Sequence, residues 1–132
     1  MGGLTERYVE ERIREAVRTL RRLPEAKAQG YVCLWPAIKH DPVEILNMEK
    51  TPFRLGPPMP DEIDRMEEVL FVWLKWLEPD ERRLVWLRAE RVRWKVICGR
   101  IGCDRTTAWR RYRIALAKLA GNLDHYYSKQ IG

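Results

Sequence analysis

Residues 101–113, IGCDRTTAWRRYR, decide how this chain is read, because a turn, a cap and a helix start fall within thirteen residues. Gly102 can take a positive φ without steric cost. Asp104, two residues later, can accept a hydrogen bond from the backbone N–H of Thr106 or Thr107, so a helix is predicted to begin at Arg105. Successive residues of a helix turn by about 100°. That spacing puts Ala108, Tyr112, Ala115, Leu116 and Leu119 on one side, and Thr106, Thr107, Arg110, Arg113 and Ala117 on the other. The first side is apolar. The second is polar and basic toward its start.

Immediately upstream, Ile97, Cys98 and Ile101 give a helix at about 93–101 an inner face of two large side chains and one small one. The small one lets a second helix cross close by. Two helices at about 93–101 and 104–120 around a glycine turn have the spacing of a helix-turn-helix, whose second helix presents its N-terminal residues to base edges in the major groove. Arg105, Thr106, Thr107 and Arg110 are the expected base readers, since arginine pairs with guanine and threonine contacts either polar edges or the thymine methyl. Arg93, Lys95, Arg100, Arg111 and Arg113 are expected to neutralise phosphates, which sets register without reading sequence.

Farther upstream the pattern stays helical. Pro79 suits the first turn of a helix over about 79–91, started by Glu78 or Asp80, with Leu84, Val85 and Leu87 inward. Another begins near Asp61, after prolines 57, 58 and 60, with the stripe Ile63, Met66, Leu70, Trp73 and Leu77. Thr5 is the expected N-cap of a helix reaching Leu23, whose stripe is Val9, Ile13, Ala16, Val17 and Leu20. Residues 25–58 hold prolines 36, 42, 52, 57 and 58 and no sustained period. Because they include Tyr31, Trp35 and Phe53, they are expected to lie over the core as an irregular connection. No stretch alternates with period two for long enough to make a strand. The predicted fold is all-α: a helical domain with a C-terminal helix-turn-helix, and an N-terminal helix joined by a long proline-containing loop. Residues 1–58 form the helix and loop, and 59–132 the DNA-binding domain.

Composition bounds the partners. The chain has 132 residues, enough for one ordinary domain. Its net charge is +6 and its pI near 9.5. The charge is segregated: residues 82–118 hold twelve Lys or Arg against Glu90 and Asp104, as expected of a face for a polyanion. Three cysteines, at 33, 98 and 103, form no CxxC pair, so a reduced, cytoplasmic setting is expected. No apolar run has the length of a signal sequence or of a membrane span, which makes a membrane partner unexpected. His40 and His125 make no zinc-like cluster with the cysteines, and no nucleophile elbow, phosphate loop or carboxylate pair appears. Neither a metal, a cofactor nor an enzymatic activity is expected. Of the six tryptophans, 73, 86 and 94 fall on or beside inward stripes, and Trp76 is the one expected to face outward.

From Leu77 to Leu119 the chain resembles region 4 of bacterial sigma factors and the related response-regulator modules. The matching residues are Leu77, Pro79, Glu81, Arg82 and Leu87, then Ile97, Ile101 and Gly102, the cap Asp104, and Ala115, Leu116, Lys118 and Leu119. The resemblance implies base contacts at Arg105, Thr106, Trp109 and Arg110. It also implies a buried Ile or Val where this chain has Arg111, so that Trp109 or Tyr112 packs in its place. Trp109 is thus either a base reader or a wedge in the core. Across a wider span the chain is similar to an uncharacterised family of prophage-encoded proteins of alphaproteobacteria, through TLRRLP (19–24), Gly30 to Pro36, Ile63 to Leu77, Val85 to Lys95 and TAWRR (107–111).

These readings imply a sequence-specific double-stranded DNA-binding protein, a phage or prophage transcription regulator. One helix-turn-helix reads few base pairs, so a homodimer is expected, joined through the N-terminal helix or the exposed part of the second helix. The alternatives are the small DNA-recognition subunit of a phage terminase within the packaging machinery, and a sigma-like module that docks on RNA polymerase.

Overall fold

The computed structural model describes residues 5–24, 27–28, 30–31 and 57–131. Thr5 caps the first helix as expected, its hydroxyl accepting from the Tyr8 N–H at 3.1 Å. Helix α1 then spans Glu6–Arg22, with Val9, Ile13, Ala16 and Val17 buried along one stripe. Residues 27–28 and 30–31 are helical again, and the Ala28 N–H bonds to the Pro24 carbonyl at 2.9 Å. The expected irregular connection is corrected at its start, because proline is tolerated at the opening of a helix, where its missing N–H has no partner to lose. Tyr31 does lie on the core: its ring packs 6.1 Å from that of Phe71 and its hydroxyl donates to Glu67 at 2.9 Å. Trp35 and Phe53 lie outside the described residues, as does most of the connection.

Helix α2 spans Pro60–Glu68, opened by Pro60 and by a hydrogen bond from the Met59 N–H to Glu62 at 2.9 Å. The sequence predicts one regular helix from here to Leu77, and the structure departs from that. Residues Val69–Trp73 form a π turn, closed by the Leu74 N–H bonding back to Val69, and Leu74–Trp76 tighten into a 3₁₀ turn. Widening and then narrowing the coil adds Val69 and Leu74 to the buried set of Met66, Leu70, Trp73 and Leu77. The run VLFVWL is apolar nearly throughout, so its spacing carries no sign of the change in pitch.

Helix α3 spans Pro79–Ala89 and buries Leu84, Val85, Trp86 and Leu87. Its start is Glu78, whose N–H bonds to Glu81 at 2.8 Å. Helix α4 spans Trp94–Ile101, and α5 spans Arg105–Ile131. The last helix was expected to end near residue 120. It runs on because Leu123 joins the core and Tyr126 and Tyr127 pack beyond it, which outweighs the weak helix preference of Gly121. This extension also corrects Trp76. It is half-buried, with the ring of Tyr126 edge-on at 5.9 Å.

The five helices share one apolar core, and α1 belongs to it: Val9 and Ile13 are buried with Met66, Trp73, Leu84, Ile97, Leu116 and Leu119. Helix α1 packs on α2, α3 and α5, while α5 also packs on α3 and α4. The described chain is all-α. Ion pairs zip the rim of α1 to α2. Glu15 holds Arg65 through two bonds at 2.8 and 2.9 Å, and Glu62 holds Arg22 at 3.0 Å.

A partly buried polar network then ties α5 to α1 and α2. Glu68 Oε1 accepts from Arg12 at 3.0 Å, from the Trp73 indole at 3.1 Å and from the Tyr127 hydroxyl at 2.6 Å. The Arg12 guanidinium lies over the Trp73 ring, 4.8 Å from its centre. Three helices therefore meet on one carboxylate oxygen. No described helix is long and apolar enough to cross a membrane.

Candidate nucleic-acid interface

The basic face is built from the α3–α4 connection onward. Arg91 takes a left-handed backbone, φ 64°, and the Val92 N–H turns back to the Leu87 carbonyl at 3.1 Å. Arg88 donates to the Val92 carbonyl at 3.0 Å, and its guanidinium lies 5.1 Å from the centre of the Trp94 ring. Trp94 meets Tyr112 edge-on at 5.8 Å, and the Tyr112 hydroxyl donates to Glu10 of α1. Burial and that bond push the Tyr112 hydroxyl well above its usual range, so it stays a neutral donor. The start of α4 and the first turns of α5 are thus held together by an aromatic contact and tied to α1 by a hydrogen bond.

Between α4 and α5 the chain turns as the sequence predicts. Gly102 has φ 81°, and its N–H and that of Cys103 both bond to the Cys98 carbonyl, at 2.8 and 3.3 Å. Left-handed closure of this kind satisfies carbonyls that a helix end leaves open. Asp104 then caps α5 by accepting from the Thr107 N–H at 2.7 Å. Its bonds with Thr107, side chain and backbone, hold the Asp104 carboxyl below the usual carboxylate range.

The faces of α5 divide as expected. Ala108, Tyr112, Ala115, Leu116 and Leu119 are buried, and Thr106, Arg110, Arg113 and Ala117 are exposed along one line of the helix. Thr107 is half-buried, its amide engaged by the cap. Arg105 is exposed in the first turn. Arg93, the residue just before α4, is exposed too, as are Lys95 and Arg100.

Three residues sit in surroundings that sequence alone left open. Trp109 is 53 % exposed, so it is not a core wedge, and the Arg113 guanidinium lies 5.8 Å from its ring centre. Tyr112 fills the inner position instead. Arg111 is exposed on the opposite flank of the line formed by Thr106 and Arg110, where it borders a cleft of about 300 Å³ with Asp80, Glu81, Leu84, Ile101 and Ile114. Arg113, expected to be available for a phosphate, is ion-paired with Glu6 of α1 at 3.0 Å.

Sequence reasoning missed Glu6, Ile114 and the Lys118–Glu81 pair at 2.7 Å. Glu6 reads as an ordinary acid in a first helical turn, and nothing in its spacing signals a partner 107 residues away. Ile114 is 55 % exposed, and only the register of α5 could have revealed it.

No three described His, Cys, Asp or Glu side chains cluster in a way that could hold a metal ion. Cys33 and His40 lie outside the described residues. What the face presents is a row of cations and hydroxyls on a rigid helix, suited to hydrogen-bonding an anionic surface.

No curated protein and no solved structure matched the chain. A family model matches residues 21–119, a span that covers α3, α4, the turn and the basic half of α5 but neither Glu6 nor Tyr127. Covering three quarters of the sequence, that match places the chain in the family described as a domain of unknown function, DUF6362.

Proposed function

We propose that this chain is a sequence-specific double-stranded DNA-binding protein, a phage or prophage transcription regulator, and that α4, the Gly102 turn and α5 act as its helix-turn-helix. One observation carries the reading: Asp104 starts α5 so that Thr106, Arg110 and Arg113 form a single exposed line while Ala108, Tyr112 and Ala115 are buried beneath it. A solvated helix surface needs charge, but it does not need a capped start, a glycine turn and a short polar ridge at its N-terminal end. Arg105, Thr106 and Arg110 read base edges, with exposed Trp109 beside them. Thr107 contributes through its hydroxyl. Arg93 and Lys95 hold phosphates at the entry to α4, and Arg100 does so from its last turn. The resemblance to sigma region 4 supports the same placement.

The test is selection of bound sites from random duplex DNA, followed by anisotropy titration of the selected site at graded salt. Arg110→Ala should lose roughly 1–3 kcal/mol of base discrimination. Lys95→Ala should weaken all duplexes alike and lower the salt slope by about one. If neither change occurs, α5 does not lie in the groove.

A second reading is a sigma-like module that docks on RNA polymerase. It is favoured by the cleft between α3 and α5, where Leu84, Ile101 and Ile114 are flanked by Asp80, Glu81 and Arg111. Absence of salt-dependent duplex binding, with retention on polymerase, would select it over the first.

A further inference from the structure

We propose that the turn between α4 and α5 is a thiol modification site, at which Cys98 and Cys103 close into an intramolecular disulfide when the protein meets a peroxide. In an unbroken helix, residues five apart point about 140° from each other and cannot be bridged. The left-handed Gly102 changes that by folding the chain back, so that the Cys103 N–H bonds to the Cys98 carbonyl at 3.3 Å. Adding the covalent reach from those two atoms to their Cα atoms keeps the Cα pair within about 7 Å. Disulfides span Cα separations of roughly 4.4–6.8 Å.

The same closure of a helix end commonly brings these two side chains into contact. Burial, and after it the nearby Cys103, hold the Cys98 thiol above its ordinary value. Both are free and half-exposed, so a small oxidant reaches them. Position therefore supplies what spacing in the sequence hides: Cys98 and Cys103 form no CxxC motif, yet the turn makes them neighbours.

Burial is the main cause that pushes the Cys98 thiol above its ordinary value, which makes it the slower of the two to meet the peroxide and leaves it the second step. The Cys103 thiol gives up its proton, the thiolate attacks the peroxide, the O–O bond breaks, and the leaving hydroxide, or alkoxide from an organic peroxide, takes that proton and departs as water or alcohol, leaving a sulfenic acid. The Cys98 thiol then attacks that sulfur. An S–S bond forms, a second water leaves, and the two electrons lost by the dithiol are those gained by the peroxide. A thiol reductant reverses the change. The bridge joins the last turn of α4 to the residue before the Asp104 cap. The site is independent of the DNA reading, because every readout below is covalent.

The experiment treats the folded full-length chain carrying Cys33→Ser with hydrogen peroxide, then follows intact mass, free thiols and non-reducing electrophoresis. Loss of two hydrogens, disappearance of both thiols and migration as a single chain are expected, all reversed by dithiothreitol. Cys98→Ser in the same background should instead gain oxygen at Cys103, several-fold more than the paired protein does. Peptide mapping of the wild-type chain after the same treatment gives an independent result should the Cys33 variant fail to fold. A Cys98–Cys103 cross-linked peptide supports the site. Oxygen addition without a bridge, or cross-linking only between chains, overturns it.

Discussion

Along the first half of α5 most polar side chains point outward: Arg105, Thr106, Arg110, Arg111 and Arg113 are all exposed. In its second half Tyr127 turns inward and gives its hydroxyl to Glu68, which also holds Arg12 and Trp73. The first half thus displays most of its polar groups, with Tyr112 and Arg113 tied back to α1, while Tyr127 in the second half is spent on the fold. The difference separates two kinds of mutational effect. Changes in the second half should alter stability and leave the intrinsic properties of the folded face intact, while changes in the first half should do the reverse. Isolated basic residues on a helix surface contribute little to folding, whereas a partly buried carboxylate shared by three donors loses more when its charged partner is removed.

The largest effect should follow Arg12→Ala. It strips Glu68 of its charged partner and Trp73 of the guanidinium stacked on it, and the Arg12 and Glu68 side chains are only 12 % and 28 % exposed. A loss of about 2–3 kcal/mol is expected in urea unfolding, below the value for a fully enclosed pair because Glu68 keeps some water. A loss under about 0.5 kcal/mol, the range of ordinary surface substitutions, would mean that the network decorates the fold without holding it.

Glu6→Gln comes next and sharpens the comparison from the other end. Arg113 is the one cation on the exposed line of α5 that the structure pairs with α1. Releasing it should tighten duplex binding several-fold at low salt and steepen the salt dependence by about one counterion, with stability nearly unchanged. Unchanged binding in this variant would place Arg113 outside the DNA contact.

The smallest effect concerns acid. Asp104 has a folded pKa below its unfolded value, so the unfolded chain binds the proton more readily. The cap's contribution is therefore complete above about pH 4 and fades as pH falls through the lower folded value. Amide exchange at Thr107, taken relative to its intrinsic rate at each pH, should accelerate over that range, and Asp104→Asn, which keeps a capping oxygen, should abolish the step. Acceleration that persists in Asp104→Asn would assign it to some other carboxylate.

Sequence reasoning did well where the information is local. The Thr5 cap, the stripe of α1, the Gly102 turn, the Asp104 cap and the two faces of α5 each depend on residues within a few positions of one another. It failed where the deciding partner is distant. Arg12 and Glu68 are 56 residues apart, so neither reads as half of a pair, and the end of α5 was set too early because Tyr126 and Tyr127 matter only once α1 and Trp76 are placed beside them. The π turn was hidden for a different reason: an almost wholly apolar run fits any helical pitch. On the basic face, spacing identified the row of exposed residues on α5, but it could not show that Glu6 occupies Arg113 or that Arg111 belongs to another flank.

The 27 residues of α5 also have a mechanical meaning. They form a rod about 40 Å long, clamped at its far end by the Tyr127 network and continuous with the ridge at its near end. A rod of this kind cannot tilt locally to suit a groove of the wrong width. If duplex DNA is the partner, the adjustment falls on the DNA, and sites that bend or widen easily should be preferred even at base pairs no side chain touches. Stiffness in the protein would then appear as flexibility in its chosen sequences.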